Sequence, residues 1–166
     1  MAEKTEKNLA SFLAADSQAA ARHAAFAQKA DHEADPRAAR LFRALSESKS
    51  VRARRCLLLL RGRIEATREN MESALAQERR AYEEEYPVLI REAEEEGMKT
   101  AEMVFSQSRE VAPVQAALLE KALKADENPS VVDYYVCQVC GYISENRAPE
   151  KCPVCGAIPG KFKPVV

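Results

Sequence analysis

Residues 135–157 read YVCQVCGYISENRAPEKCPVCGA and hold four of the chain's five cysteines, as two Cys-x2-Cys pairs separated by eleven residues. Each pair predicts a tight knuckle that directs two sulfurs toward one ion, and two knuckles complete a tetrahedral site. A glycine follows the second cysteine of each pair, where it permits the positive φ that turns backbone N–H groups toward sulfur. The spacing therefore predicts a four-thiolate metal site, with the ligands Cys137, Cys140, Cys152 and Cys155.

The spacing does not choose the ion. Zinc and iron both accept four thiolates in a tetrahedral arrangement. Zinc would make the segment a structural ribbon, whereas iron would also carry one electron. A redox dithiol without metal is the alternative to both.

Upstream of the cysteines the sequence is typical of helices. Residues 1–125 contain few helix breakers, and their apolar residues recur at intervals of three and four. Asp35 is placed to cap a second helix that has Pro36 in its first turn, and Gly62 and Gly97 are expected to end the second and third helices. Four helices in two hairpins predict a mainly α protein with an antiparallel four-helix bundle.

The tail differs in composition. Six of the eight prolines lie beyond Val111, and residues 128–130, Asn-Pro-Ser, are typical of a linker. We therefore predict a helical domain over 1–128 and a metal-binding domain over 129–166. A tail of this length is too short to build an adequate apolar core, so it needs the metal as a staple.

Composition limits the function classes. The chain has 25 basic and 26 acidic side chains, a balance that gives no general attraction to nucleic acid. The longest apolar run, Cys56–Leu60, is too short to span a membrane, and the charged N-terminus lacks the apolar run of a secretory signal. We expect a cytoplasmic protein without nucleic-acid or membrane partners, whose cysteines stay reduced.

Particular stretches resemble the rubrerythrin family. CQVCGYI (137–143) and APEKCPVCGA (148–157) are similar to the rubredoxin-type module at the C-terminus of rubrerythrins. KTEKNLASFLAADSQAAARHAAFAQKA (4–30) resembles the family's first helix, and EEYPVLIREAEEEG (84–97) its third. The resemblance implies a homodimer with a ferritin-like bundle and a rubredoxin-like domain. It also implies one iron per chain on the four cysteines, with zinc as an alternative in recombinant protein.

The same resemblance implies an oxidoreductase in which a di-iron centre reduces peroxide, yet the residues for that centre are missing. Ferritin-like di-iron sites take two Glu-x-x-His pairs, and neither His23 nor His32 has a glutamate three residues before it. His23 stands where the family has a tyrosine near the irons. The positions that match the family's di-iron ligands hold Asp16, Lys49, Arg52, Glu78, Ala81, Ala112 and Gln115. We therefore expect no di-iron centre and assign no catalytic residue.

The helical spacing alone also places Asp16, Lys49, Arg52, Glu78 and Gln115 on apolar faces. Buried cations are rare unless paired. Our hypothesis is that Lys49 and Arg52 face Asp16 and Glu78 and supply positive charge where relatives hold iron. The alternative is that both cations reach solvent along slightly rotated helices.

Three functions follow as expectations. The first is an electron-transfer or redox-responsive protein with one iron and an unknown redox partner protein. The second is a zinc-bound structural or interaction protein. The third is a peroxide-reducing oxidoreductase that works through an atypical centre at Asp16, Glu78 and Glu85, or with an intact paralogue.

Overall fold

A computed structural model of the chain describes residues 2–60, 64–125 and 131–165. Within it the chain divides into two compact units, Met1–Glu65 and Ala66–Val166. The helix end expected at Gly62, the linker at 128–130 and the domain boundary drawn there lie outside the described residues, so they stay predictions.

The first unit is a hairpin of two helices, α1 (Glu3–His32) and α2 (Pro36–Leu59). The predicted start of α2 is confirmed, because the Asp35 carboxylate accepts a hydrogen bond from the Ala38 N–H at 2.9 Å and Pro36 opens the first turn. Alanines fill most of the buried positions of this hairpin, and their small side chains let the two helices approach closely. They are Ala20, Ala27, Ala30, Ala39 and Ala53.

The second unit begins with a helical segment that changes its winding once. Helix α3 (Thr67–Arg80) continues into a π-helical turn (Ala81–Glu85) and then into α4 (Tyr86–Glu95). Pro87 lacks the N–H that would bond the carbonyl four residues before it, which removes one α-helical hydrogen bond at this point. The segment ends before Gly97, whose φ of 69° fits the expected stop.

Helix α5 (Lys99–Lys124) packs against both α3 and α4. It runs through Pro113 as one helix. The π-helical turn at Ala81–Glu85, in contrast, directly precedes the turn that contains Pro87.

The tail forms a three-stranded antiparallel sheet of order β2-β1-β3, with β1 (Tyr134–Cys137), β2 (Ile143–Glu145) and β3 (Phe162–Val165). The register pairs Val136 with Ile143 and Cys137 with Phe162. Its small core contains Cys137, Cys152 and Phe162, with Tyr135 and Tyr142 packed against them. The aromatic side chains therefore surround the knuckles.

An ion pair connects the sheet to the helices of the second unit. The Lys121 ammonium on α5 donates to both carboxylate oxygens of Glu145 on β2, each at 2.8 Å. Glu145 ends β2, so this pair places that edge of the sheet against α5, although Lys121 is largely exposed and such a pair contributes at most about 1 kcal/mol. Across the described residues, no helix is both long and apolar enough to cross a bilayer.

Candidate metal centre

The first knuckle is a hydrogen-bonded loop at the end of β1. The Cys137 N–H donates to the Tyr142 carbonyl at 2.8 Å, and the Gly141 N–H donates to the Cys137 carbonyl at 2.9 Å. Gly141 has a φ of 82°, a conformation that costs an L-residue about 1–2 kcal/mol and glycine nothing. The glycine therefore closes this loop without strain.

The second knuckle repeats the first bond for bond. The Cys152 N–H donates to the Ala157 carbonyl at 2.8 Å, the Gly156 N–H donates to the Cys152 carbonyl at 2.9 Å, and Gly156 has a φ of 73°. Two equivalent loops thus present two sulfurs each, as the paired Cys-x2-Cys-Gly sequence predicted.

The four sulfurs converge on one point. Cys137 Sγ lies 3.6 Å from Cys155 Sγ, Cys140 Sγ lies 3.5 Å from Cys152 Sγ, and all four atoms lie within 4.8 Å of one another. A tetrahedral ion with metal–sulfur bonds of about 2.3 Å requires sulfurs about 3.8 Å apart. A disulfide would require about 2.05 Å, and none of the five cysteines, all of which the structure describes, is in a disulfide. The geometry fits a tetrathiolate metal site.

Backbone donors act on the first ligand. Burial raises the pKa of the Cys137 thiol, but the N–H groups of Cys140 and Val139, together with hydrogen bonds from the Cys155 and Cys140 side chains, lower it by more, so the pKa is lowered overall. The knuckle therefore stabilises a thiolate at Cys137 before any ion is considered.

At the half-buried ligands the balance is reversed. Burial raises the pKa of Cys140 and of Cys155, and the N–H groups of Tyr142 and Ala157 oppose the rise without cancelling it. Three or four thiolates in one small volume repel one another, so the full set needs a cation to be ionised together. The donor set thus favours a bound metal over free thiolates.

Burial divides the ligands into two kinds. Cys137 and Cys152 are 1 % and 3 % exposed, whereas Cys140 and Cys155 are half-buried. The site therefore has one edge where sulfur lies near the protein surface.

A second cluster lies in the first unit, between α1 and α2. Lys49 Nζ lies 2.9 Å from Asp16 Oδ1, and Arg52 Nε lies 3.0 Å from Asp16 Oδ2. The Arg52 N–H is not aimed at Oδ2, which has no well-aligned donor among the described residues. The Arg52 guanidinium also lies over the Phe12 ring, 4.9 Å from its centroid. The predicted pairing of both cations with Asp16 is confirmed.

The alternative, in which both cations reach solvent, is also partly present. The side chain of Asp16 is 5 % exposed, that of Lys49 is 27 % and that of Arg52 is 45 %. Only the carboxylate is fully withdrawn from water, and both cations reach toward solvent from their contacts with it.

The remaining positions that match the family's di-iron ligands lie in the second unit. Ala81 is buried in the π-helical turn, and Ala112 is buried on α5. Glu78 and Gln115 are half-buried and line one cavity. A pairing of Lys49 and Arg52 with Glu78 stays a prediction.

Two further residues bear on the alternatives. Glu85 is exposed and pairs with Arg80 at 3.1 Å, which gives the acidic centre expected there no support. His23 lies among aromatic rings, with centroids 6.2 Å from Phe26 and 6.5 Å from Phe42, and its buried Nδ1 has no partner among the described residues.

Known proteins resemble this chain over most of its length. Residues 135–163 match the family model described as "Rubrerythrin, rubredoxin-like domain". The rubrerythrin of Porphyromonas gingivalis is 31 % identical over 98 % of this chain and 90 % of its own length. Rubrerythrin-2 of Clostridium acetobutylicum is 25 % identical over 93 % of each chain.

Solved structures agree with these sequence relatives. Nigerythrin in a mixed-valence state is 27 % identical with a TM-score of 0.58, over 97 % of this chain and 86 % of its own. Its partially reduced state is 26 % identical with a TM-score of 0.59 at the same coverage. The expected fold class, a mainly α ferritin-like protein followed by a small rubredoxin-like domain, is confirmed. This chain is a member of the rubrerythrin family.

Proposed function

We propose that this protein is an electron carrier that binds one iron per chain through its four cysteines and has no di-iron centre. The convergence of the four sulfurs, all within 4.8 Å of one another, carries the first part. The two cations on Asp16 support the second part.

The residues around the sulfurs suit electron transfer. A tetrathiolate iron supplies one-electron chemistry with little change of geometry. Two loops of equal hydrogen bonding hold the sulfurs at fixed positions, which keeps the rearrangement between oxidation states small. Backbone N–H groups aimed at sulfur stabilise negative charge and so raise the reduction potential.

The helical part supports the absence of a di-iron centre through its charge. A ferritin-like centre takes carboxylates and histidines from its helices. Here the carboxylate of Asp16 already contacts two cations, and a further divalent ion would be repelled by both. Two other positions that match the family's di-iron ligands, Ala81 and Ala112, have no side-chain atom that could bind a metal.

Membership of the family also supports the wider setting. We infer a homodimer that works in the cytoplasm with a redox partner protein. The half-buried edge at Cys140 and Cys155 is the part of the site that such a partner would approach.

Metal analysis of protein purified from its native host tests the proposal. We expect one iron per chain, the red absorption of a ferric tetrathiolate, and its reversible bleaching by reduction. The Cys152→Ser variant should lose that absorption, whereas Cys56→Ser, which changes the cysteine outside the site, should keep it.

Other results would select the alternatives. One zinc per chain and no colour would make the tail a structural element. Three irons per chain, or oxidation by peroxide at enzymatic rates, would restore a di-iron or atypical centre and overturn the second part of the proposal.

A further inference from the structure

Two segments without charged residues meet at the metal centre. Residues 137–144 and 152–160 contain no charged side chain, although charged residues make up 31 % of the chain. Each segment contains two of the four cysteines, so the convergence of the sulfurs brings both segments to one site. The surface around the sulfurs is therefore poor in charge.

Large apolar side chains on this surface are exposed. Val139 is 58 % exposed and Ile158 is 61 % exposed. The Val139 N–H contacts the Cys137 sulfur, and Ile158 follows Ala157, whose N–H contacts the Cys155 sulfur. Both apolar residues, which we call the apolar patch, therefore lie beside the metal centre, where burial against another protein would be favourable.

Lysines border this patch. Lys151 and Lys161 flank the second charge-free segment, and both are exposed. Backbone hydrogen bonds bring Lys161 to both parts of the patch. Its carbonyl accepts from the Gln138 N–H at 2.8 Å, next to Val139, and its own N–H donates to the Ile158 carbonyl at 2.9 Å. The apolar patch thus has a basic border.

The acidic residues of the tail lie mostly at the far end of its sheet. Strand β1 ends at Cys137, whereas Asp133 precedes this strand and Glu145 is in register with its first residue. Lys163, in contrast, is in register with Val136, next to Cys137. The sheet therefore places most of its basic side chains at the metal end and most of its acidic ones at the opposite end.

The charge of the bound iron is part of this balance. Four thiolates leave one negative charge around ferric iron and two around ferrous iron. Three exposed lysines outnumber one exposed acid at the metal end, and within the described ranges none of these lysines forms an ion pair. They are Lys151, Lys161 and Lys163, against Glu150. The metal end therefore has a net positive charge with ferric iron and none with ferrous iron.

We propose that this surface docks an electron-donor protein whose contact face is apolar at its centre and rich in carboxylates at its border. The inference rests on the proposed electron-transfer function. The apolar centre would cover Val139 and Ile158, and the carboxylates would meet the lysines. The reduced donor loses one electron and ferric iron gains it. Because the positive charge of the surface falls at that step, the donor is released more readily after it.

Carbodiimide crosslinking maps the contact without electron transfer, because it joins lysine to carboxylate only where the two touch. The full, iron-loaded protein in its ferric state is mixed with oxidised flavodoxin, an acidic protein with a flavin edge at its surface. Mass spectrometry of peptides then locates the bonds. We expect crosslinks to Lys151 or Lys161 at low ionic strength and their loss at high ionic strength. Lys99, exposed at the start of α5, should form none.

Stopped-flow reduction by reduced flavodoxin separates charge from apolar contact. Lys161→Glu should slow reduction at least threefold at low ionic strength, whereas Lys99→Glu, the same change of charge elsewhere, should not. Val139→Ser keeps the N–H on sulfur and should slow reduction at high ionic strength. Val131→Ser, at a residue 97 % exposed, should leave the rate unchanged. Voltammetry of each variant shows whether the driving force has changed.

Several results would overturn the proposal. They are the absence of flavodoxin crosslinks at Lys151 and Lys161, crosslinks from these lysines only to a second copy of the chain, equal rates in the two lysine variants, and equal rates in the two valine variants.

Dithionite, a small donor that needs no docking surface, separates this inference from the proposed function. It should bleach the iron colour of every variant. Bleaching by dithionite together with failed docking would leave the proposed function standing. Absence of the iron colour would overturn the proposed function and this inference with it.

Discussion

Asp16 and its two cations differ in how much water each retains. The carboxylate is almost fully buried, whereas the side chains of Lys49 and Arg52 are 27 % and 45 % exposed. An unpaired buried charge costs several kcal/mol, and a charge that can reach water costs far less. The carboxylate therefore depends on the cations more than they depend on it.

This asymmetry predicts unequal effects of removing each side of the cluster. Asp16→Ala should destabilise the protein by about 1–3 kcal/mol, because the freed cations can hydrate. The double variant Lys49→Ala/Arg52→Ala should cost roughly 3–5 kcal/mol, because it strands the carboxylate. Urea unfolding followed by circular dichroism gives both values.

An exposed pair on the same helix serves as control. Arg54 binds Glu47 at 2.9 Å with both side chains more than half exposed, and Arg54→Ala should cost less than about 1 kcal/mol. Equal costs for Asp16→Ala and the double variant would contradict the predicted asymmetry.

The knuckle glycines make a second prediction for single residues. A Cβ added at Gly141 or Gly156 meets nothing within 4 Å, so any cost of alanine comes from the backbone. Each Gly→Ala change should destabilise the metal-loaded tail by about 1–2 kcal/mol, measured by thermal loss of the thiolate-to-iron absorption.

Gly160 is the matched control, because its surroundings are equally open and its φ is not positive. Gly160→Ala should be neutral or slightly stabilising. If all three substitutions lowered stability equally, positive φ at the knuckles would not be the cause.

At the scale of elements, α5 carries a proline in its interior and still forms one helix from Lys99 to Lys124. Pro113 is exposed, so its ring fills no core position. Its cost is the missing hydrogen bond to the Arg109 carbonyl and the crowding of that turn.

Pro113→Ala should therefore stabilise the protein, by up to about 3 kcal/mol. Thermal and urea unfolding of the helical signal measure the gain. Ala117→Pro, one turn further along the same exposed face, should destabilise by a similar amount. A loss of stability in Pro113→Ala would mean that the proline supports a bend required by the packing of α5.

The sequence predicted those elements whose cause is local. The cap at Asp35, the stop at Gly97 and the two Cys-x2-Cys-Gly loops follow from residues within a few positions of one another, and the structure contains them. The contact of Lys49 and Arg52 with Asp16 was also predictable, because residues three apart share one helix face.

Other features depend on contacts between distant residues. The apolar spacing does not predict the π-helical turn at Ala81–Glu85, because one extra residue in a single turn hardly changes a pattern of three- and four-residue intervals. Pro87, which lacks a backbone N–H, is the local feature that could have indicated it. The cavity joins Glu78, Leu118 and Ile143, whose separation along the chain conceals that they share one wall.

At the scale of the whole molecule, stability is distributed unevenly. The helices bury their own alanine-rich faces, but among the described residues of the tail only Cys137, Cys152 and Phe162 form a fully buried core, with partly buried side chains packed against it. A segment with so little buried apolar surface depends on its ion, which in small zinc domains contributes roughly 10–16 kcal/mol to folding.

Removal of the metal should therefore unfold the tail and spare the helices. With a strong chelator or mild acid, which protonates the thiolates, we expect loss of amide protection in the sheet while the far-ultraviolet helical signal changes little. Hydrogen exchange read by mass spectrometry resolves the two regions. Simultaneous collapse of α1 and α2 would contradict this division.

Because the four sulfurs are unequally buried, the metal–sulfur bonds should break in a defined order when the ion is exchanged. An incoming chelator, or a competing soft metal such as cadmium, would meet Cys140 and Cys155 first, and the bonds to Cys137 and Cys152 would break last. Metal turnover should then pass through a two-coordinate intermediate, held by one sulfur from each knuckle.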